Sequence, residues 1–186
     1  MLRSLPAYIL AGGRSSRFGS DKAVYVHNGV PLWHRVANAL EGAGCTVHLI
    51  GRSPRGLPIP EIIEEEHADH HPLWGVVRAF RDARQQGHEW VVTAPCDLLD
   101  LDEIQVSILI KASQASPLNQ FAGAIARPPR ATFTRGQPLL AVLPVDALAV
   151  AEGLATSGGS VRDFHVRCGS GVVDLGASRN LNEPPA

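Results

Sequence analysis

One abrupt change of character near the start of the chain constrains its fold more than any other feature. Tyr8-Ile9-Leu10-Ala11 is an apolar run suited to a buried strand, and it stops at the pair Gly12-Gly13. Arg14, Arg17 and Lys22 follow, with Ser15, Ser16 and a third glycine, Gly19, among them. Glycines let backbone amides approach a ligand closely, and a row of such amides attracts anions. The segment therefore reads as a cradle for a triphosphate at the end of the first strand of a sheet. It is not a P-loop, because Gly19 is followed by Ser20 rather than lysine. It is not a dinucleotide fingerprint either, because its first two glycines are adjacent. A solvated basic turn is the bland alternative, and the number of fixed positions in the segment argues against it.

The rest of the chain alternates strand-like and helix-like patterns. Tyr8–Ala11, Val47–Ile50, Ile59–Ile63, Glu89–Ala94, Phe121–Ala126, Pro138–Leu143 and Gly171–Asp174 read as strands. Pro31–Leu40, Leu73–Arg84, Asp102–Ala115, Val145–Ala155 and Ser160–Arg167 read as helices. Such alternation predicts an α/β fold, a Rossmann-like three-layer sandwich with a mostly parallel central sheet and helices on both faces. Ligands in such sheets bind at the carboxyl ends of the strands, where the strand order reverses. The length of 186 residues predicts one domain over 1–186.

Composition narrows the partners. Hydrophobic residues make up 45% and charged residues 19%, with a formal net charge of −1. Neither nucleic acid nor a membrane surface is indicated, and the positive charge is concentrated where a small anionic substrate would need it. Cys45, Cys96 and Cys168 are odd in number and widely spaced. That argues against a disulfide framework or a zinc knuckle and favours a reducing, cytoplasmic setting. No apolar stretch is long enough to span a bilayer, and the first residues lack the core of a signal peptide.

A second chemical segment follows the Glu89–Ala94 strand. In Pro95-Cys96-Asp97 a carboxylate stands at the end of a strand, facing the expected triphosphate. Mg²⁺ binds through one or two carboxylates plus phosphate oxygens, so Asp97 is a candidate metal ligand. Capping the following turn is the alternative.

The pattern L-A-G-G-x-S-x-R-x-G-x-D-K, from Leu10 to Lys22, resembles the signature of nucleotidyltransferases that build nucleoside-diphosphate sugars and related pyrophosphates. More narrowly, the chain resembles the molybdenum cofactor guanylyltransferase (MobA) family. The matching segments are Asn28-Gly29-Val30-Pro31-Leu32-Trp33, Pro72-Leu73-Trp74-Gly75, Pro95-Cys96-Asp97, Gln137-Pro138-Leu139, Ser160-Val161-Arg162-Asp163-Phe164 and Asn180-Leu181-Asn182-Glu183-Pro184, in the family's order.

The resemblance implies transfer of GMP from GTP to molybdopterin with release of pyrophosphate, with Mg²⁺ as cofactor. It implies that Leu10, Ala11, Gly12 and Gly13 hold the nucleotide and that Arg17 and Lys22 bind phosphates. Asp97 would hold the metal, and Asn180, Asn182 and Arg162 would face the pterin side. A nucleotide-binding half at about 1–100 and an acceptor-binding half at about 101–186 follow from it, as does transient contact with proteins that make or receive the cofactor. The sequence departs from the family pattern at Glu65, where an aspartate is common, and at Ile50-Gly51-Arg52, where a guanine-contacting asparagine is expected. It departs again at Leu99, where a proline is common. Two other readings stay open: a relative that uses CTP or another phosphorylated acceptor, and a non-catalytic binding partner of a nucleotide or cofactor.

Other constellations carry less. His67, Asp69, His70 and His71 form a histidine-rich loop that lacks the spacing of known zinc sites. Cys96 has no histidine base in register and reads as a small buried residue. The basic residues Arg127, Arg130 and Arg135 suit either a second anion or a solvated loop. Trp33, Trp74 and Trp90 read as core or half-buried residues.

Overall fold

The computed structural model describes residues 4–12, 21–64, 67, 71–114, 132–134, 136–175, 179 and 181. In chain order its regular elements are β1 (Pro6–Leu10), β2 (Val26–His27), β3 (Val30–Pro31), α1 (Leu32–Gly42), β4 (Thr46–Gly51), β5 (Glu61–Ile63), α2 (Leu73–Gln85), β6 (Trp90–Pro95), α3 (Glu103–Gln114), β7 (Thr132–Thr134), β8 (Gln137–Pro144), α4 (Leu148–Ser157), α5 (Val161–Arg167) and β9 (Gly171–Val173). Seven strands form one sheet in the order β5-β4-β1-β6-β8-β7-β9. β5, β4, β1 and β6 are mutually parallel, and β8 runs against both β6 and β7. β9 is parallel to β7. This is the mostly parallel α/β sheet that the sequence predicts.

The side-chain alternation of β1 shows how the layers form. Ala7 and Ile9 face one cluster with Val36, Ala37 and Leu40 of α1 and Val106 and Leu109 of α3. Tyr8 faces the other, with Val76, Val77 and Phe80 of α2, Leu154 of α4 and Phe164 of α5. A period of two along the strand thus meets helices on both sides of the sheet. The buried Tyr8 hydroxyl is satisfied by donating to Asp82 on α2 at 2.9 Å.

Chain order along the sheet determines where a ligand fits. From β1 the chain moves to β4 and β5 on one side, then returns to β6 on the other. The order therefore reverses between β1 and β6, the switch point at which doubly wound sheets open a crevice.

The sequence reading of elements holds with few adjustments. α1, α2 and α5 begin within a residue or two of their expected starts. Asp102 caps α3, accepting from the Gln105 amide at 2.8 Å. Ser160 and Asp163 form a reciprocal cap on α5. The expected helix over Val145–Ala155 is instead a 3₁₀ turn, Val145–Ala147, followed by α4. There the Val145 amide donates to Glu89 O at 2.9 Å, which ties the first turn to the start of β6. The sequence reading did not include β2 and β3, a minimal hairpin. Its turn is Asn28-Gly29, at φ 50° and 75°, the left-handed pair that an Asn-Gly turn supplies. The expected strand Phe121–Ala126, the Arg127 and Arg130 loop and Arg135 lie outside the described residues. Among the described residues, no helix is long and apolar enough to cross a membrane.

Candidate active site

β1 and β6 are register partners to their ends, with Leu10 opposite Pro95. The residues that follow them, Ala11 and Cys96-Asp97, therefore leave the sheet side by side. On the other flank the Ala11 amide donates to Ile50 O of β4 at 2.8 Å, which keeps the exit of β1 in line with the sheet.

Lys22 opens a short 3₁₀ turn, Lys22–Val24, capped by Asp21, whose Oδ1 accepts from the Ala23 amide at 3.0 Å. The turn packs beside α1 and directs Lys22 toward Asp97. Its Nζ donates to Asp97 Oδ2 at 2.6 Å, and both side chains are largely buried, at 17% and 14% exposure. Two residues separated by most of the N-terminal half thus meet near the carboxyl ends of β1 and β6.

The other oxygen of Asp97 carries a chemical signal. Asp97 Oδ1 is buried and has no hydrogen-bond partner. An orphaned buried acceptor costs about 1–3 kcal/mol, and more when charged. A cation at Oδ1 removes that cost, so the donor set fits a hard divalent ion that takes its remaining ligands from phosphates and water. Among the described residues no group of three or more histidines, cysteines or carboxylates could hold a metal alone.

Cys96 is buried. Burial first, then the neighbouring Asp97 charge, pushes its thiol up to about 12. A thiol held protonated in this way is no nucleophile.

The remaining expected residues divide clearly. Leu10, Ala11 and Gly12 stand half-buried at the crevice. A Cβ on Gly12 would lie 2.0 Å from Glu64 Oε2, so this glycine makes room for a carboxylate that the sequence reading passed over. Glu64 follows β5, its amide donating to Gly51 O at 2.8 Å, and burial raises its pKa. The sequence signal was the run Glu64-Glu65-Glu66, from which only Glu65 had been singled out. Gly13, Arg17, Glu65, Asn180 and Asn182 lie outside the described residues. Arg162 is exposed in the first turn of α5, and among the described residues it is joined to neither Lys22 nor Asp97.

The immediate neighbours of Asn180 are described, and they sit against the Asp97 segment. The Leu99 amide donates to Arg179 O at 2.9 Å, and the Leu181 amide donates to Asp97 O at 3.1 Å. Leu181 packs with Leu32, Tyr25 and Leu99. Arg179 adds a bidentate ion pair to Asp100, both contacts at 2.6 Å, which holds the Asp100 carboxyl below the usual carboxylate range. The Leu99 departure has a consequence here, because a proline would have no amide to give Arg179 O.

The histidine-rich loop supplies no metal cluster among the described residues. His67 stacks on Trp74, with ring centroids 3.6 Å apart. His71 Nδ1 accepts from the Leu73 amide at 3.2 Å. Asp69 and His70 lie outside the described residues. Trp33 is buried in the core, and Trp74 and Trp90 are half-buried.

The sequence model of the MobA-like NTP transferase domain matches residues 7–167 of the chain. A molybdenum cofactor guanylyltransferase of Sinorhizobium fredii is 41% identical over 98 residues, covering 50% of this chain and 45% of that protein. One of Pseudomonas putida is 29% identical over 149 residues, covering 77% and 72%. The chain spans about half the length of several curated relatives it matches. Among solved structures, molybdopterin-guanine dinucleotide biosynthesis protein A of Archaeoglobus fulgidus superposes with a TM-score of 0.65 at 16% identity, over 92% of this chain and 84% of that one. At that identity the likeness is one of fold.

Proposed function

The chain belongs to the MobA-like NTP transferase domain family, and from that premise we propose that it transfers GMP from GTP to molybdopterin, releasing pyrophosphate. The observation that carries the proposal is the 2.6 Å contact between Lys22 and Asp97, with Asp97 Oδ1 buried and unpartnered beside it.

In this reading a phosphate oxygen of the acceptor bonds to the α-phosphorus of GTP. The bond to the bridging oxygen breaks, and its electron pair leaves with pyrophosphate. Charge builds on that leaving group, and Lys22 and Arg17 stabilise it. Chemistry of this kind depends on positioning and electrostatics. The acceptor phosphate is already ionised near neutral pH, so the chain needs no strong general base. It needs no protein nucleophile either, in keeping with the protonated Cys96. Asp97 would hold a divalent ion, Mg²⁺ in this proposal, which neutralises phosphate charge when bound. Leu10, Ala11, Gly12 and Gly13 would hold the nucleotide from the end of β1, with Glu64 or Glu65 on its sugar or base. Asn180, Asn182 and Arg162 would face the pterin phosphate.

A single domain follows in the same reading, with a nucleotide-binding half at about 1–100 and an acceptor-binding half at about 101–186. So does a cytoplasmic setting, where the three free cysteines stay reduced.

Pyrophosphate release from GTP with molybdopterin as acceptor tests the proposal. Lys22→Ala and Asp97→Ala should each lower turnover on the order of a hundredfold or more, the scale for one preorganised charge. Near-normal turnover in both contradicts it. Turnover with CTP rather than GTP would move the protein to the cytidylyl-transferring reading.

A further inference from the structure

Arg55 lies in Ser53-Pro54-Arg55-Gly56, a stretch without regular structure, and no sequence motif marks it. Its side chain is only 10% exposed, and its guanidinium reaches two distant parts of the chain. Nε donates to Asp21 Oδ2 at 2.6 Å, and Nη2 donates to Ala11 O at 3.1 Å. Ala11 is the residue that leaves β1, and Asp21 is the residue before Lys22. One planar cation therefore joins the exit of the central strand to the turn that carries the phosphate-binding lysine.

The surroundings of Arg55 hold it in that position. Glu61 Oε2 accepts from the Arg55 amide at 2.7 Å, and Glu61 Oε1 accepts from the Leu57 amide at 2.9 Å. Space for the guanidinium comes from Gly51 at the end of β4. A Cβ there would stand 2.1 Å from Arg55 Nη1. Gly51 has no left-handed backbone to explain it, and a side chain at this position would displace the guanidinium. Gly51 lies within Ile50-Gly51-Arg52, the stretch in which the family resemblance leads one to expect an asparagine.

We propose that Arg55 is a positioning residue, which fixes Asp21, and through it Lys22, relative to the end of β1 and so sets the grip of the site on nucleotide phosphates. The inference rests on the reading of Lys22 and Asp97 as phosphate and metal residues. A fork with directed N–H groups makes both contacts at once, and a lysine ammonium does not reproduce that geometry.

The test measures the affinity of the full chain for GTP in Mg²⁺, together with KM, kcat and melting temperature. Three variants disturb the contact differently: Arg55→Lys, Asp21→Asn and Gly51→Ala. Asp21→Asn keeps an oxygen for the Ala23 amide and removes the charge facing Arg55. Gly51→Ala leaves both partners and displaces the guanidinium.

Each should weaken GTP binding by about tenfold or more, the scale of a charge-assisted hydrogen bond. KM should rise more than kcat falls, and the melting temperature should stay near that of the parent. The double variant Arg55→Lys/Asp21→Asn should be no weaker than the worse single one, because both remove one interaction. Affinity within twofold of the parent in all three, losses that follow a fall in melting temperature, or additive losses in the double variant would overturn the inference. If Lys22→Ala binds GTP as tightly as the parent, the reading of the site itself fails, and this inference fails with it.

Discussion

Two stretches of chain meet where Lys22 touches Asp97, and different forces hold them there. On the Lys22 side the ties are charged and come from a third segment: Arg55 grips Asp21 and Ala11 O, and its backbone is held by Glu61. On the Asp97 side the ties are backbone amides and apolar packing. The Leu99 amide donates to Arg179 O, the Leu181 amide donates to Asp97 O, and Leu181 sits among Leu32, Tyr25 and Leu99. The difference follows from what each stretch must do. Asp97 continues a sheet strand, so a rigid element already places it, and a short apolar patch suffices to dock its neighbours. Lys22 opens a 3₁₀ turn outside the sheet, and Arg55 reaches across from elsewhere to the Asp21 carboxylate that caps it.

The contrast predicts different sensitivities on the two sides. The largest effect on the Asp97 side should come from Leu181→Ala. Truncating a buried leucine costs about 2–5 kcal/mol where the site cannot collapse. The cost should be read as lower stability and lower turnover with molybdopterin, while affinity for GTP stays near that of the parent. A selective loss of GTP affinity would break the contrast.

Acid should sharpen it next. His165 lies buried against β8, its Nε2 paired with Pro138 O at 2.7 Å and its Nδ1 with Ser170 Oγ at 3.0 Å, and burial lowers its pKa from 6.5. Burial lowers that of His48 as well. In both, the folded state disfavours the proton that the unfolded chain takes up near pH 6.5. The stability associated with the neutral rings is therefore complete above about pH 6.5 and is lost as pH falls through that value toward the lower folded pKa. Denaturant midpoints measured from pH 8 to 5 should fall over the acid half of that range. His165→Asn should flatten the decline. An unchanged slope would mean that His165 is not its source.

The smallest effect should be that of Arg179→Ala. Its ion pair with Asp100 is bidentate, yet Arg179 is 75% exposed and solvent screens it. Melting temperature and GTP affinity should hardly move. A loss comparable to that of Leu181→Ala would show that charge, rather than packing, secures this side too.

What the sequence disclosed and what it withheld follow the same division. β1, β4 and β6 are legible because their apolar runs are buried on both faces, which leaves no alternative use for such residues. Lys22 and Asp97 are legible as a pair because each follows a landmark in the sequence, a glycine-rich basic segment and the end of an apolar run. Arg55 is not legible. Its importance lies in contacts with residues far away in sequence, and Ser53-Pro54-Arg55-Gly56 has the composition of an ordinary turn. Glu64 was missed for a related reason, since a run of three glutamates gives no sign of which one faces Gly12. The hairpin β2–β3 does carry a signal, Asn28-Gly29, but its two-residue strands are too short for any period to show. The α4 start shifted because Val145 bonds to Glu89 O, a tertiary tie that helical periodicity cannot anticipate.

The claim on which everything else depends is that Asp97 Oδ1 is the protein's hold on a divalent ion, with Lys22 beside it for phosphate. The most direct measurement is calorimetric binding of GTP with Mg²⁺ and with EDTA, for the parent and for Asp97→Asn. The parent should bind more tightly with Mg²⁺, and the variant should lose that advantage while remaining folded. A variant that keeps the full Mg²⁺ dependence would contradict the claim.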